Sequence, residues 1–305
     1  MPLISVKNVS KEYKQQTKGK DGDGKRISGK KLIKAVNGLS FDIEPGEFIG
    51  FIGENGAGKS TTIKMMSGIL YPTSGTIHTM GIEPYKKRRE NAMNIGVVFG
   101  QRSRLVWELP MSDTFELYKE IYRIPADRFR HNVALFTEIL DMGEFANTPI
   151  RQLSLGQRMR VEIALSMLHD PPILFLDEPT IGLDVVAKKN IRDFFTERNG
   201  REGTTIILTS HDMKDLDTLA SRVIMITKGE MLFDGTFDTL KERYNAESVA
   251  VFTFSDGREP ESVSFDPKKR TLPEIIAEIG NQGEISNVEV KNADIEDIIR
   301  EIYNG

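Results

Sequence analysis

A lysine and a serine, Lys59-Ser60, close the run Gly53-Glu54-Asn55-Gly56-Ala57-Gly58, an order of residue types that can hold phosphate. Glycines let successive backbone N–H groups curl around an anion, the lysine ammonium reaches the outer phosphates, and the following hydroxyl can hold Mg²⁺. The strand-like run Phe48 to Ile52 leads into these residues and a helix-like run follows, so a helix N-terminus adds partial positive charge at the same place. Gly53, Asn55, Gly56, Ala57, Gly58, Lys59, Ser60 and Thr61 are therefore the candidate phosphate-binding residues.

A second group supplies negative charge. The apolar run Ile173-Leu174-Phe175-Leu176 ends in Asp177-Glu178, and the tip of a buried strand would deliver both carboxylates to a phosphate site. Asp177 is placed to bind Mg²⁺, directly or through its water, as the strand-end Asp of P-loop enzymes does. Glu178, one residue on, points elsewhere and can orient or deprotonate an attacking water. A pair of adjacent acids is common on solvated strand ends; the phosphate loop upstream is what gives this one its chemistry.

Alternating elements must position these groups. Ile4 to Val9 and Leu39 to Ile43 read as strands, the second ending at the turn Glu44-Pro45-Gly46-Glu47. Between them Gln15 to Lys34 is rich in Lys and Gly without apolar periodicity, and reads as a mobile surface loop: a solvated insertion, or a basic segment touching lipid head groups or nucleic acid. From Arg102 to Asn147 the spacing is helical, with Phe115, Tyr118, Ile121 and Tyr122 on one face and Val133, Phe136, Ile139 and Leu140 on another. Strand and helix patterns alternate again from Ser154 to Met231, as in a sheet with parallel strands. After Tyr244 come a strand at Val249 to Phe254, another around Ile285 to Val290, and helices at Pro273 to Ile279 and Ile295 to Tyr303.

Composition narrows the function classes. A chain of 305 residues accommodates one large core and an appendage. The formal net charge of -4 gives no global basic field, so a nucleic-acid partner is not expected. The chain has no cysteine, which excludes disulfides and thiolate metal sites. Its apolar runs are far shorter than the roughly 20 residues that span a bilayer. The N-terminus shows no secretory signal, so a cytosolic location is expected.

Leu153-Ser154-Leu155-Gly156-Gln157-Arg158 precedes a helix striped by Met159, Ile163, Ala164, Met167 and Leu168, with Ser154 suited to cap its start. Together with Gln101, Asp177-Glu178, Leu183-Asp184 and His211, in this order, the chain resembles the ATP-binding cassette (ABC) ATPases from about Leu3 to Leu240. The resemblance implies an α/β fold, a P-loop NTPase with an ABC-type core sheet. A nucleotide-binding domain at 1–240 would carry an inserted helical subdomain at about 102–168, and a small α+β accessory domain would follow at 245–305. It implies ATP and Mg²⁺ as ligands, and a head-to-tail dimer sandwiching two ATP between one phosphate loop and the other subunit's Ser154, Gly156 and Gln157. By position Gln101 resembles the glutamine that contacts Mg²⁺ or water, and His211 the histidine that hydrogen-bonds the γ-phosphate. Asp184 resembles the acid that communicates across the dimer, and Tyr13 the aromatic that stacks on adenine, although it could instead simply pack.

Leu155 departs from the family's most frequent signature, which has glycine there. Its surroundings, with Gly100-Gln101-Arg102-Ser103 and Asp177 to Asp184, resemble exporter-type cassettes whose membrane domain is a separate polypeptide. The expected partners are integral membrane permease subunits, with either a second copy or a related cassette completing the dimer, at the cytoplasmic face of the cell membrane. Leu105 to Pro110 lies where that family docks its membrane subunit, and Trp107 is either an interface anchor or core. Regulation, docking and dimer stabilisation are all open for the C-terminal unit. Two rivals stand beside export: a soluble ABC ATPase acting on a ribosome or nucleic-acid machine, and a regulator that holds ATP without turnover.

Overall fold

The computed structural model describes residues 1–20, 26–100, 103–180, 182–210, 212–244, 248–265, 269–291 and 295–304, with side chains except at 16–20, 26–30, 202, 214, 291, 297, 300, 301 and 304. Gln101 and His211 thus lie outside the described residues. The chain forms two compact units, Met1–Asp234 and Gly235–Gly305.

In the first unit β1 (Ile4–Lys20), β2 (Arg26–Ile43), β3 (Phe48–Gly53) and α1 (Lys59–Met66) come first. They are followed by β4 (Ser74–Thr79), α2 (Arg88–Ala92) and β5 (Ile95–Phe99). The helices α3 (Met111–Tyr122), α4 (Ala126–Ile139) and α5 (Leu155–Met167) intervene before β6 (Ile173–Asp177). Then come α6 (Val185–Glu202), β7 (Thr205–Thr209), α7 (Met213–Leu219), β8 (Arg222–Thr227) and β9 (Glu230–Gly235).

Six strands form one sheet in the order β5-β6-β7-β3-β8-β9, the first five mutually parallel. Their sequences dictate this: Ile173 to Leu176 and Ile206 to Leu208 are buried, as strands covered on both faces must be. The register sets Phe99 opposite Asp177 and Asp177 opposite Thr209, bringing three strand ends side by side at the carboxyl edge where ligands of open α/β sheets bind. A second, antiparallel sheet of order β2-β1-β4 shares an apolar core with β3, α1 and β6, through Ile4, Leu39, Phe51, Ile63 and Phe175.

Two expectations are corrected here. Gln15 to Lys34 is not a loop: apart from 21–25, which lie outside the described residues, β1 and β2 run antiparallel from Glu12 opposite Lys34 to Lys20 opposite Arg26. A two-stranded ribbon satisfies its backbone groups through the ladder without burying a face, so apolar alternation is absent from its sequence. Ile121 is exposed rather than sharing a covered face with the buried Phe115.

In the second unit α8 (Phe237–Arg243) precedes β10 (Ser248–Phe254), β11 (Glu261–Phe265), α9 (Leu272–Gly280), β12 (Ile285–Lys291) and α10 (Ile295–Asn304). The strands form an antiparallel sheet of order β11-β10-β12. Every second residue of β10 is buried, and Ala250, Phe252 and Phe254 pack against Ile275 and Ile279 of α9. The short edge strand β11, with its alternating polar residues, was not expected from the sequence.

Candidate active site

The loop between β3 and α1 is shaped by glycine. Gly58 caps α1 at φ 107°, and a Cβ there would lie 2.4 Å from the Ala35 carbonyl oxygen, so only glycine lets the chain pass β2. The Ala57 N–H donates to the Glu54 carbonyl at 3.0 Å, and the Gly229 N–H donates to the Ala57 carbonyl at 3.0 Å, pinning the loop to the turn between β8 and β9. Inside α1 the buried Thr62 hydroxyl donates to the Gly58 carbonyl at 3.0 Å. Asn55 and Gly56 are exposed and Ser60 and Thr61 half-buried, which leaves the outer rim of the loop accessible.

Lys59 is buried, with its ammonium donating to the Gly53 carbonyl and, at 3.1 Å, to the Glu54 carbonyl. Burial lowers its pKa, and the nearby charges of Glu178, Asp177 and Glu54 oppose that shift. The same field therefore joins the loop lysine to the two strand-end carboxylates, residues far apart in sequence.

Asp177 and Glu178 are held by β7. The Thr209 hydroxyl donates to Asp177 Oδ1 at 2.8 Å and accepts the Glu178 N–H at 3.1 Å, which also reaches the Thr209 carbonyl at 3.1 Å. Glu178 takes φ 58°, a left-handed conformation that costs an L residue about 1–2 kcal/mol. Glu178 thus leaves the strand that ends at Asp177. The Gly100 N–H donates to the Asp177 carbonyl at 2.9 Å, so the chain leading to Gln101 is anchored beside the same strand end. Sequence reading missed Thr209 and Gly229; the polar end of a buried apolar strand and a glycine in a turn were the only signals for them.

The signature residues form a separate patch. Ser154 caps α5 reciprocally: its hydroxyl accepts the Gln157 N–H at 3.2 Å and its own N–H donates to Gln157 Oε1 at 2.9 Å. The Gln157 side chain is thus engaged in the cap. Asp184 caps α6 by accepting the Ala187 N–H at 2.8 Å, and Arg160 lies 3.7 Å away. The Ala187 N–H, then Arg160, holds the Asp184 pKa below the usual carboxylate range. Ser154, Leu155, Gly156, Gln157, Arg160 and Asp184 line a surface cavity of about 390 Å³. Leu155 is half-exposed and leans over Gly182, where a Cβ would meet its Cδ2 at 2.5 Å. The side-chain partners of Ser154, Gln157 and Asp184 lie on α5 and α6, not on the phosphate loop.

Tyr13 sits on the exposed ribbon opposite Ile33, with the Lys11 ammonium 5.6 Å from its ring. Trp107 is 49% exposed and stacks on the Arg158 guanidinium at 5.2 Å, which removes the core reading. No helix among the described residues is long and apolar enough to cross a membrane.

Known proteins share both the sequence and this architecture. The family model described as ABC transporter matches residues 36–181. The ABC transporter ATP-binding protein NatA of Bacillus subtilis is 33% identical over 220 residues, 72% of this chain and 89% of that protein. The Nod factor export ATP-binding protein I of Ralstonia nicotianae is 31% identical over 234 residues, 77% of this chain and 67% of that protein. Among solved structures, the dimeric post-hydrolysis ATP-binding cassette MJ0796 bound to ADP and Pi superimposes with TM-score 0.67 at 27% identity, covering 77% of this chain and 98% of that one. With its phosphate loop, strand-end acid pair and capped signature helix arranged as described, this chain belongs to the ABC transporter ATP-binding family and is an ATP-hydrolysing cassette.

Proposed function

We propose that the chain drives export through separate integral membrane permease subunits, working at the cytoplasmic face of the membrane as a dimer that closes on two ATP. The observation that carries the reading is that Lys59, Asp177 and Glu178 share one electrostatic environment while the capped Ser154 turn keeps its partners on α5 and α6. A second cassette brings such a turn onto a bound triphosphate. Ser154, Gly156 and the α5 N-terminus then meet the γ-phosphate from the far side, and that contact is lost when the phosphate leaves. The dimeric state of the MJ0796 cassette and the export named for the Ralstonia relative support this direction.

The donors present suit Mg²⁺: the Ser60 hydroxyl and the Asp177 carboxylate are hard oxygen ligands, and Gln101 adds an amide oxygen. Bound there, the ion would supply neutralisation of the charge on the outer phosphates. Lys59 holds the same phosphates, Gly53, Asn55, Gly56, Ala57, Gly58 and Thr61 shape the cradle, and Glu178 takes the proton of the attacking water. His211 steadies the γ-phosphate, Asp184 faces the partner cassette, Gln157 keeps Ser154 oriented, and Tyr13 stacks on adenine. The exposed Trp107, stacked on Arg158 of the signature helix, is suited to the permease contact.

The test is a tagged pull-down from gently solubilised native membranes, followed by phosphate release. A polytopic membrane protein that co-purifies and raises turnover is the expected result. A ribosomal or other soluble partner would overturn export while leaving the ATPase in place.

A further inference from the structure

We propose that Thr209 is a positioning residue for ATP hydrolysis, its single hydroxyl orienting the Asp177 carboxylate and the Glu178 backbone together. The inference rests on the reading of Asp177 as a Mg²⁺ ligand and Glu178 as the base. The parallel register of β6 and β7 sets Thr209 directly opposite Asp177. The hydroxyl has one proton, which goes to Asp177 Oδ1 at 2.8 Å, so only its lone pairs face the Glu178 N–H at 3.1 Å. Both bonds therefore depend on one torsion, and Asp177 and Glu178 are set as a pair.

Burial makes this device hard to replace. Thr209 has no exposed surface, so solvent does not substitute for its hydroxyl. With Oδ1 of Asp177 held by Thr209, the carboxylate has a fixed orientation in which it would meet a cation. Glu178 needs anchoring because it holds φ 58°, and its N–H is tied to Thr209 twice, through the hydroxyl and the carbonyl. Removing the hydroxyl leaves the carbonyl bond and the strand pairing intact, so Asp177 loses its orientation while the fold persists. Groups that orient a ligating carboxylate in this way typically govern about 10- to 100-fold of metal affinity or activity.

The experiment compares Thr209→Val, which keeps the shape without the hydroxyl, and Thr209→Ser, which restores it, in the full chain together with whatever membrane subunits co-purify. Thermal shift with a non-hydrolysable ATP analogue is measured across a Mg²⁺ titration and in EDTA, alongside kcat and KM for ATP. T209V is expected to need about 10- to 100-fold more Mg²⁺ for the same shift and to lose kcat by a similar factor. Its shift in EDTA should stay as in the parent, and T209S should recover both properties. T209V matching the parent in Mg²⁺ requirement and kcat would overturn the inference, as would T209S failing as badly as T209V. If T209V does not fold, Thr209→Cys, with a weakly bonding thiol, takes its place under the same criteria. Glu178→Gln serves as the control: if it still turns over, the reading of the acid pair has failed, whereas a silent E178Q beside a normal T209V defeats the Thr209 inference alone.

Discussion

Lys59 has its ammonium against two backbone carbonyls; burial lowers its pKa, and the charges of Glu178, Asp177 and Glu54 oppose that shift. On the proposed reading this ammonium is the group that meets a triphosphate. A charge-assisted bond of this kind contributes about 1.5–3 kcal/mol, so Lys59→Ala is expected to weaken ATP binding by about 10- to 100-fold in equilibrium titration. His169 gives a second prediction at this scale. Its ring stacks on Tyr122 at 3.9 Å between centroids and its Nε2–H donates to the Ile95 carbonyl at 3.2 Å. Burial, first among the causes, lowers its pKa from 6.5 to about 4. The unfolded chain therefore takes up the proton first as pH falls, and this stability, complete above pH 6.5, is lost progressively toward pH 4. The loss by pH 4.5 is about 2–3 kcal/mol, and His169→Asn should show a correspondingly flatter acid slope in denaturant melts. The placement of Lys59 and Ser60 at the start of α1 and of Asp177 at the end of β6 was legible in the sequence because local spacing defines it. Thr209 and Gly229 were not, because their contacts exist only once β6 pairs with β7 and the turn after β8 reaches the phosphate loop.

Among the elements, α5 shows how a signature sequence is also a folding signal. The reciprocal bonds of Ser154 and Gln157 satisfy donors that the helix start leaves open. Ser154→Ala is expected to lower stability by about 1 kcal/mol, roughly 2–4 °C in thermal midpoint for a unit of this size, before any effect on nucleotide. A calorimetric scan without nucleotide measures it, and an unchanged midpoint would show that the cap contributes nothing. Ser154 as a cap, the buried stripe Met159 to Leu168 and the apolar parallel strands were all readable, since local propensity and burial agree in them. The β1–β2 ribbon beyond Glu12 was not, because it is held by backbone pairing and its described side chains, 13–15 and 31–34, are exposed, so no buried apolar stripe marks them. Edge strand β11 escaped for a similar reason, being only five residues with alternating exposure.

For the whole molecule, the proposed reading makes two patches of one chain the two halves of a nucleotide site: the phosphate loop with its acids, and the capped helix start beside Asp184. On that reading a second cassette would complete the site. The sequence order of these motifs carried the family, whereas the approach of one patch to another depends on a partner surface that no single-chain pattern encodes. The most direct test is Glu178→Gln, followed by light scattering and phosphate release with ATP and Mg²⁺ in the same sample. ATP is expected to double the mass of the variant while phosphate release stops, because the dimer closes on a nucleotide it cannot cleave. A variant that stays monomeric and releases phosphate at the parent rate would contradict it.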